Sequence, residues 1–134
     1  MKKLAILILS IFIIPHMAYA TNMSDFLNLV NNKREQLTSL QFREFTPTLK
    51  GTKIDWNSEI QNVSHKGGVY VVNLKNTPNT IHFNYYITSK ESALKLNKGK
   101  WYILSGEIKS CNPDPYFDTS CDVNIISFKS NSNP

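Results

Sequence analysis

The sequence has few of the residues on which catalysis and metal binding usually depend. It contains three histidines and two cysteines in 134 residues, and no nucleophile–base pair or triad-like motif surrounds them. No glycine-rich phosphate loop is present, because "KGG" at residues 66–68 is too short to form one. After the N-terminal run, no segment is long enough to span a bilayer. We therefore expect no enzymatic activity and no cofactor.

The first twenty residues, "MKKLAILILSIFIIPHMAYA", have the order of parts found in a secretory signal peptide. Two lysines precede an apolar run from Leu4 to Ile14, and Ala-Tyr-Ala at 18–20 fits a small-residue cleavage site. The run is shorter than the roughly 20 apolar residues that span a bilayer. We predict cleavage after Ala20 and a mature chain in the periplasm or outside the cell; an uncleaved membrane anchor is the alternative.

Cys111 and Cys121 are the only cysteines, and both lie in the part predicted to be exported. An even count in an oxidising compartment favours one disulfide. A metal site would need further ligands at a suitable spacing, and no histidine lies nearby. We predict a Cys111–Cys121 disulfide and no metal.

The charge is mildly basic and does not indicate a nucleic-acid-binding protein. Removal of Lys2 and Lys3 with the signal peptide lowers the net charge from +5 to about +3. The basic residues are scattered, apart from a cluster at Lys95, Lys98 and Lys100 that reads as a solvated surface.

Residues 23–45 have the apolar spacing of a helix, with Ser24 as its expected N-cap and Asp25 in its first turn. The run "NNKREQ" at 31–36 is either a solvated face or a break between two short helices. Pro47 ends the pattern. The predicted apolar face consists of Phe26, Leu27, Val30, Leu37, Leu40 and Phe42.

From Gly51 onward the apolar period becomes two, which predicts β-strands. Val63 is out of step with Ile60, so we predict a bulge near Gln61. Between the third and fourth strands, Ser89 begins a short helix that exits at Gly99. The five predicted strands are residues 51–64, 69–75, 80–88, 100–109 and 122–129.

The order β-β-β-α-β-β, with the strands expected to pair antiparallel, is that of the OB-fold, a partly open Greek-key barrel. The stretches "GTKIDWNSEI" and "LNKGKWYILSGEI" resemble small exported bacterial OB-fold proteins, grouped with nucleic-acid-binding-like and tRNA-anticodon-binding-like domains. The resemblance covers Leu40 to Phe128. Gly106 fits a position where the barrel strands coil sharply. Ser58 stands where that pattern has glycine, which predicts less coiling in the first strand.

The predicted organisation has four parts. They are a signal peptide at 1–20, a helical segment at 21–47, the barrel at 48–129 and a flexible tail at 130–134.

Two groups of carboxylates are candidates for a chemical site. Asp55 and Glu59 share one strand face, but ordinary surface pairing with nearby lysine explains them better than acid–base chemistry. Asp114, Asp118 and Asp122 recur every four residues but lack the order of a calcium loop. We assign them to turn formation and solubility.

A binding surface is the stronger prediction. The resemblance implies a ligand face on the second and third strands, flanked by the loops after the first and fourth. Tyr116 and Phe117 in the latter loop either stack on a ligand or fold back as a plug on the barrel end. Asp114 and Asp118 beside them would repel phosphate. The predicted site residues are His65, Lys66, His82, Asn84, Tyr86, Tyr116 and Phe117.

These observations predict an exported, non-enzymatic OB-fold binding module whose ligand is a protein surface or a glycan. One alternative is a subunit of a secreted oligomer of the toxin B-subunit kind, and another is single-stranded nucleic-acid binding at the cell envelope. The sequence leaves the oligomeric state open.

Overall fold

The computed structural model describes residues 21–76, 80–113 and 119–132. The predicted signal peptide and the loop residues Tyr116 and Phe117 lie outside these ranges. The helices are α1 (Met23–Gln36), α2 (Ser39–Phe45) and α3 (Lys90–Leu94), with a 3-10 turn at Thr46–Leu49. The strands are β1 (Thr21–Asn22), β2 (Lys53–Lys66), β3 (Val69–Leu74), β4 (Ile81–Ile87), β5 (Trp101–Asn112) and β6 (Thr119–Ser130).

The sheet closes on itself because β2 pairs with two different strands. Its first half, Lys53 to Glu59, pairs antiparallel with β5, and its second half, Ile60 to Lys66, pairs antiparallel with β3. The strand order β2-β3-β4-β6-β5 therefore returns to β2. This closed arrangement of five strands, with a short helix between β4 and β5, is an OB-fold barrel and confirms the predicted fold class.

Among the five strands predicted from the sequence, one pair departs from the expected antiparallel arrangement. β4 and β6 run parallel, with Ile81 opposite Thr119. The reason is the path of the chain: after β4 and α3, β5 crosses to pair with β2, and β6 then returns antiparallel to β5. The return brings β6 alongside β4 in the same direction.

The predicted alternation along the strands is confirmed. In β4, Ile81, Phe83, Tyr85 and Ile87 are buried, whereas His82 is exposed and Asn84 and Tyr86 are half-buried. The register of β2 against β3 shifts between Ile60 and Asn62, which is the predicted bulge. Gly67 and Gly68 both have positive φ in the turn that follows β2.

Ser58 is accommodated in β2 although the resembling pattern has glycine at this position. The side chain is buried at 7% exposure, and its Oγ donates a hydrogen bond to the carbonyl of Lys75 at 3.4 Å. The strand still passes from one partner to the next between Glu59 and Ile60.

The N-terminal segment forms two helices rather than one. Residues 31–36 are helical, and the break lies just after them at Leu37–Thr38. Thr38 and Gln41 form a capping box that starts α2. Leu40, predicted to be apolar core, is 68% exposed because the break rotates it toward solvent.

The N-cap of α1 is Asn22, not the predicted Ser24. The side-chain oxygen of Asn22 accepts a hydrogen bond from the backbone N–H of Asp25 at 2.8 Å. Ser24 instead lies within the first turn and is exposed.

Helix α1 packs on the barrel at the starts of β4 and β6. Phe26, 1% exposed, lies with its ring centroid 6.1 Å from that of Phe83. Arg34 then donates to Thr119 Oγ1 at 2.6 Å and to the Thr80 carbonyl at 3.5 Å. These contacts make the helix part of the barrel's hydrophobic core.

The predicted disulfide is confirmed, with Cys111 directly opposite Cys121 across the β5–β6 ladder. Both strands extend further than the sequence indicated, to Asn112 and from Thr119. The bond therefore joins two strand ends instead of bracketing one long loop. Closing a ring of this size stabilises the fold by roughly 2–3 kcal/mol in the chain-entropy treatment.

No helix within the described residues is long and apolar enough to cross a membrane.

Gly106 is required by close packing inside the barrel. A Cβ at this position would lie 2.6 Å from Val123 Cγ1 and 3.1 Å from two ring carbons of Trp56. Val123 is fully buried, so it has no open space into which to move.

Replacing Gly106 with Ala should lower the free energy of unfolding by about 1–3 kcal/mol, because the added methyl overpacks the core. The opposing gain from a less flexible unfolded chain is smaller, about 0.4–1 kcal/mol. Urea denaturation measures the difference. Lys109→Ala, at an exposed site on the same strand, should change stability by less than about 0.5 kcal/mol. Equal stability of the two variants would contradict the packing described for Gly106.

Candidate functional site

A groove opens between β3 and β4, the two strands that the sequence predicted to carry the ligand face. The ladder between these strands is limited to residues 70–72 and 85–87. The groove lies beyond the end of this ladder and has a volume of about 220 Å³. Its lining consists of Gln61, Val71, Val72, Asn73, Leu74, His82, Phe83, Asn84 and Tyr85.

Asn84 is held in place at the side of this groove that faces β6. Its Nδ2 donates to Asp122 Oδ1 at 3.1 Å, and Ser110 Oγ donates to Asp122 Oδ2 at 3.4 Å. The half-buried carboxylate of Asp122 therefore orients the Asn84 amide, and Ser110 on β5 holds this carboxylate in place. The sequence assigned Asp122 to turn chemistry, but the structure places it within β6 as the support for Asn84.

The structure brings together only part of the predicted site. His82 is exposed in the groove beside Asn84, whereas Tyr86 lies outside the lining and opposite Val71. His65 and Lys66 are exposed at the end of β2 next to the turn, also outside the groove. The His65 ring packs against the Tyr70 ring with centroids 4.9 Å apart.

Within the described residues, the groove lining has no permanently charged side chain. None of the described residues that line it is Lys, Arg, Asp or Glu. Burial raises the pKa of the Tyr85 hydroxyl well above its ordinary value, so this group stays protonated. A surface without cations has little attraction for a phosphate backbone, and the groove is therefore suited to an uncharged ligand.

A second opening lies beside β2, and we call it the Trp56 pocket. β1 covers β2 only at Ile54 and Asp55, and β3 begins to pair at Ile60, so the edge of β2 between them is uncovered. The pocket has a volume of about 340 Å³. It is lined by Asn22, Met23, Ser24, Asp55, Trp56, Asn57, Ser58, Leu74, Asn76 and Tyr85.

Two stacked aromatic rings form part of this pocket. The centroids of Trp56 and Tyr85 are 5.2 Å apart, with 29° between the ring planes. Trp56 is half-buried, and its indole N–H is buried without a hydrogen-bond partner among the described residues. Buried polar groups are paired in most proteins, so the Trp56 N–H lacks, within the described part of the chain, the acceptor that such a donor usually has.

Sequence reasoning did not find the Trp56 pocket. The period of two along β2 groups Trp56 with Ile54 and Ile60, but it gives no sign of an opening. The opening depends on where β1 and β3 meet β2, and strand pairing of this kind cannot be read from the period of one strand.

The carboxylates on β2 are separately engaged rather than paired with Lys53. Asp55 Oδ1 accepts a hydrogen bond from Ser105 Oγ at 2.7 Å. Glu59 instead forms an ion pair with Lys75 at 3.8 Å. No group of three or more His, Cys, Asp or Glu that could hold a metal ion occurs within the described residues.

No family model matches the sequence, and no curated protein is significantly similar to it. Among solved structures, an OBody, AM3L09, bound to hen egg-white lysozyme is similar at 14% identity and a TM-score of 0.46, over 65% of this chain and 88% of that one. Pot1pC of Schizosaccharomyces pombe bound to ssDNA is similar at 5% identity and a TM-score of 0.42, over 68% and 84%.

The aspartyl tRNA synthetase from Entamoeba histolytica is similar at 14% identity and a TM-score of 0.38, over 70% of this chain and 22% of that one. At these TM-scores the fold assignment rests on the strand pairing described above, and not on these structures.

Replacing Asn84 with Asp should make the protein less stable as the pH rises. The change places a second carboxylate at hydrogen-bond distance from Asp122, which raises the pKa of one of the two in the folded state above the ordinary value of about 3.9. The folded protein then holds a proton that the unfolded chain releases, so stability is lost as pH rises through the raised pKa. Urea unfolding should show a larger loss near pH 7 than near pH 4.

Asn73→Asp is the matched control, because Asn73 lines the same groove but is exposed on β3. Its effect on stability should vary little with pH. An equal loss at both pH values for Asn84→Asp would show that the amide does not contact Asp122 in solution.

Proposed function

We propose that this protein is an exported, non-enzymatic OB-fold binding module whose uncharged ligand, a protein surface or a glycan, engages the groove between β3 and β4. The observation that carries the proposal is the uncharged groove itself, at the place where the β3–β4 ladder stops. His82 and Asn73 contribute exposed polar groups there, and Asn84 is oriented by Asp122. Such a groove can position a ligand without catalysing a reaction on it.

The groove's size favours a macromolecular ligand. Pockets that enclose small ligands usually measure about 300–1,000 Å³, and the groove, at about 220 Å³, is smaller. A surface loop or a glycan chain lying across the barrel would use such a small depression, with further contacts on either side.

Export is supported by two independent features. The first twenty residues have the parts of a signal peptide. The only two cysteines form a disulfide, a bond that persists in oxidising compartments and is rare in the cytosol.

Nucleic-acid binding is less favoured, because the groove lining lacks the cations that contact phosphates. A secreted oligomer of the toxin B-subunit kind would be detected by light scattering during size-exclusion chromatography. A monomer at micromolar concentration would exclude it.

We predict that the purified protein captures a glycan on an array or a protein in a pull-down, and that the double change His82→Ala with Asn73→Ala weakens capture by about tenfold or more. Both side chains are exposed, so the fold should be unaffected. Ser127→Ala, exposed on β6 and outside the groove lining, is the matched control and should bind normally.

Capture that is equal for the double variant and the wild type would overturn the assignment to the groove. Retention of labelled single-stranded oligonucleotide that weakens steeply with salt would instead favour the nucleic-acid alternative.

Export and oxidation can be read from one intact mass. The protein expressed from its full sequence and recovered from the periplasm should begin at Thr21 and be lighter by two hydrogens than the reduced chain. A mass that includes residues 1–20 would contradict signal-peptide cleavage, and free thiols would contradict the disulfide.

A further inference from the structure

We propose that the Trp56 pocket binds an uncharged sugar ring as one unit of a glycan. The structural basis is the juxtaposition of stacked aromatic rings, an unpaired indole N–H and a set of amides and hydroxyls around one opening. The inference rests on the proposed binding function. It extends that function by selecting glycan over protein surface and by adding contacts that the groove does not have.

The size of the pocket fits a small unit. Its volume of about 340 Å³ lies at the lower end of the range of about 300–1,000 Å³ for small-molecule sites. The pocket is therefore suited to a small molecule or to one unit of a larger chain.

The polar groups around the pocket match the chemistry of hydroxyls, which donate and accept hydrogen bonds. Asn22 and Asn57 each use the side-chain oxygen within the fold, accepting from Asp25 N and Asn131 Nδ2, which leaves their amide N–H groups as donors. Ser24 and Asn76 line the pocket and are exposed. A sugar carries several hydroxyls close together and can meet such donors and acceptors at once.

The indole of Trp56 adds a donor that the fold leaves unused. A buried N–H without an acceptor costs free energy in the unbound protein. Because the N–H is buried, a small rotation of the indole would bring it to a bound ligand hydroxyl, and the new hydrogen bond would remove that cost. The apolar C–H groups of a sugar ring would at the same time pack against the exposed part of the indole ring.

Charge selects against anionic ligands. Among the described residues that line the pocket, Asp55 is the only charged side chain, and no Lys or Arg is present. Lys75 lies between the lining residues Leu74 and Asn76 in the sequence, and it forms an ion pair with Glu59 at 3.8 Å. A nucleotide or a sugar phosphate would bring a negative charge toward Asp55 with no cation of the pocket to balance it.

The Trp56 pocket and the groove share Leu74 and Tyr85 in their linings. Two sites with common walls are adjacent, so a unit bound in one would be followed by a unit in the other. This adjacency favours an oligosaccharide over a free monosaccharide.

The test is NMR titration of the 15N-labelled protein, expressed from the full sequence. The chain has two tryptophans, so two indole N–H peaks are expected, and Trp56→Phe identifies the one from Trp56. The probes are methyl glucoside, N-acetylglucosamine, cellotetraose and chitotetraose, with glucose 6-phosphate as the anionic counterpart. At least one neutral sugar should shift the Trp56 peak in a saturable way, with a tetramer binding about tenfold or more tighter than its monomer.

Two variants accompany the titration. Asn76→Gly removes the amide while permitting the positive φ of 59° at this position, and should weaken binding by about fivefold or more. Ser127→Ala should leave it unchanged. A sugar phosphate that binds as tightly as the neutral sugar would overturn the inference.

If no probe shifts the Trp56 peak but groove amides respond to a sugar or a captured protein, the sugar pocket is wrong while the proposed function stands. If the groove amides also fail to respond to any ligand, both are wrong.

Discussion

The division of β2 between two partners is the constraint on which the rest of the structure depends. Because Lys53 to Glu59 pair with β5 and Ile60 to Lys66 pair with β3, one strand joins both ends of the sheet and closes the barrel. The closure requires β2 to bend, and the bulge after Ile60 lies at this bend. It also brings Trp56 over Gly106, where a larger residue would meet Val123. Backbone pairing, packing and side-chain size therefore depend on one another here.

The same arrangement creates the openings in which function is expected. β1 and β3 leave the edge of β2 uncovered between their pairings, and β3 separates from β4 after Val72. Tyr85 and Leu74 lie between the resulting pocket and groove and contribute to both. Ligand contacts can therefore be made at the gaps in the barrel wall while the core stays closed, which separates the demands of binding from those of stability.

Much of the fold followed from local patterns in the sequence. The period of two located the inner and outer faces of β4 and β5, and Val63 out of step with Ile60 marked the bulge. The start of α3 could be predicted at Ser89, because a serine N-cap can be recognised from the local sequence alone. The even number of cysteines indicated the disulfide between Cys111 and Cys121.

The rest depends on contacts between segments that are distant in sequence. The parallel pairing of β4 with β6 and the addition of β1 to β2 follow from the path of the closed sheet, which no local period records. For the same reason the opening beside Trp56 was missed. The hydrogen bond between Asp122 and Asn84 could not be predicted from the sequence, because it depends on the register of β4 against β6.

The central claim is that ligands bind at the gaps in the barrel wall beside β2, β3 and β4. Backbone-amide chemical-shift mapping with the tightest ligand recovered by capture tests it most directly. We expect the largest shifts at residues 56–58, 73–76 and 82–85, which surround the two openings. Large shifts confined to the turn at residues 64–70 or to the first half of β5 at 101–107, with none around the openings, would contradict the account.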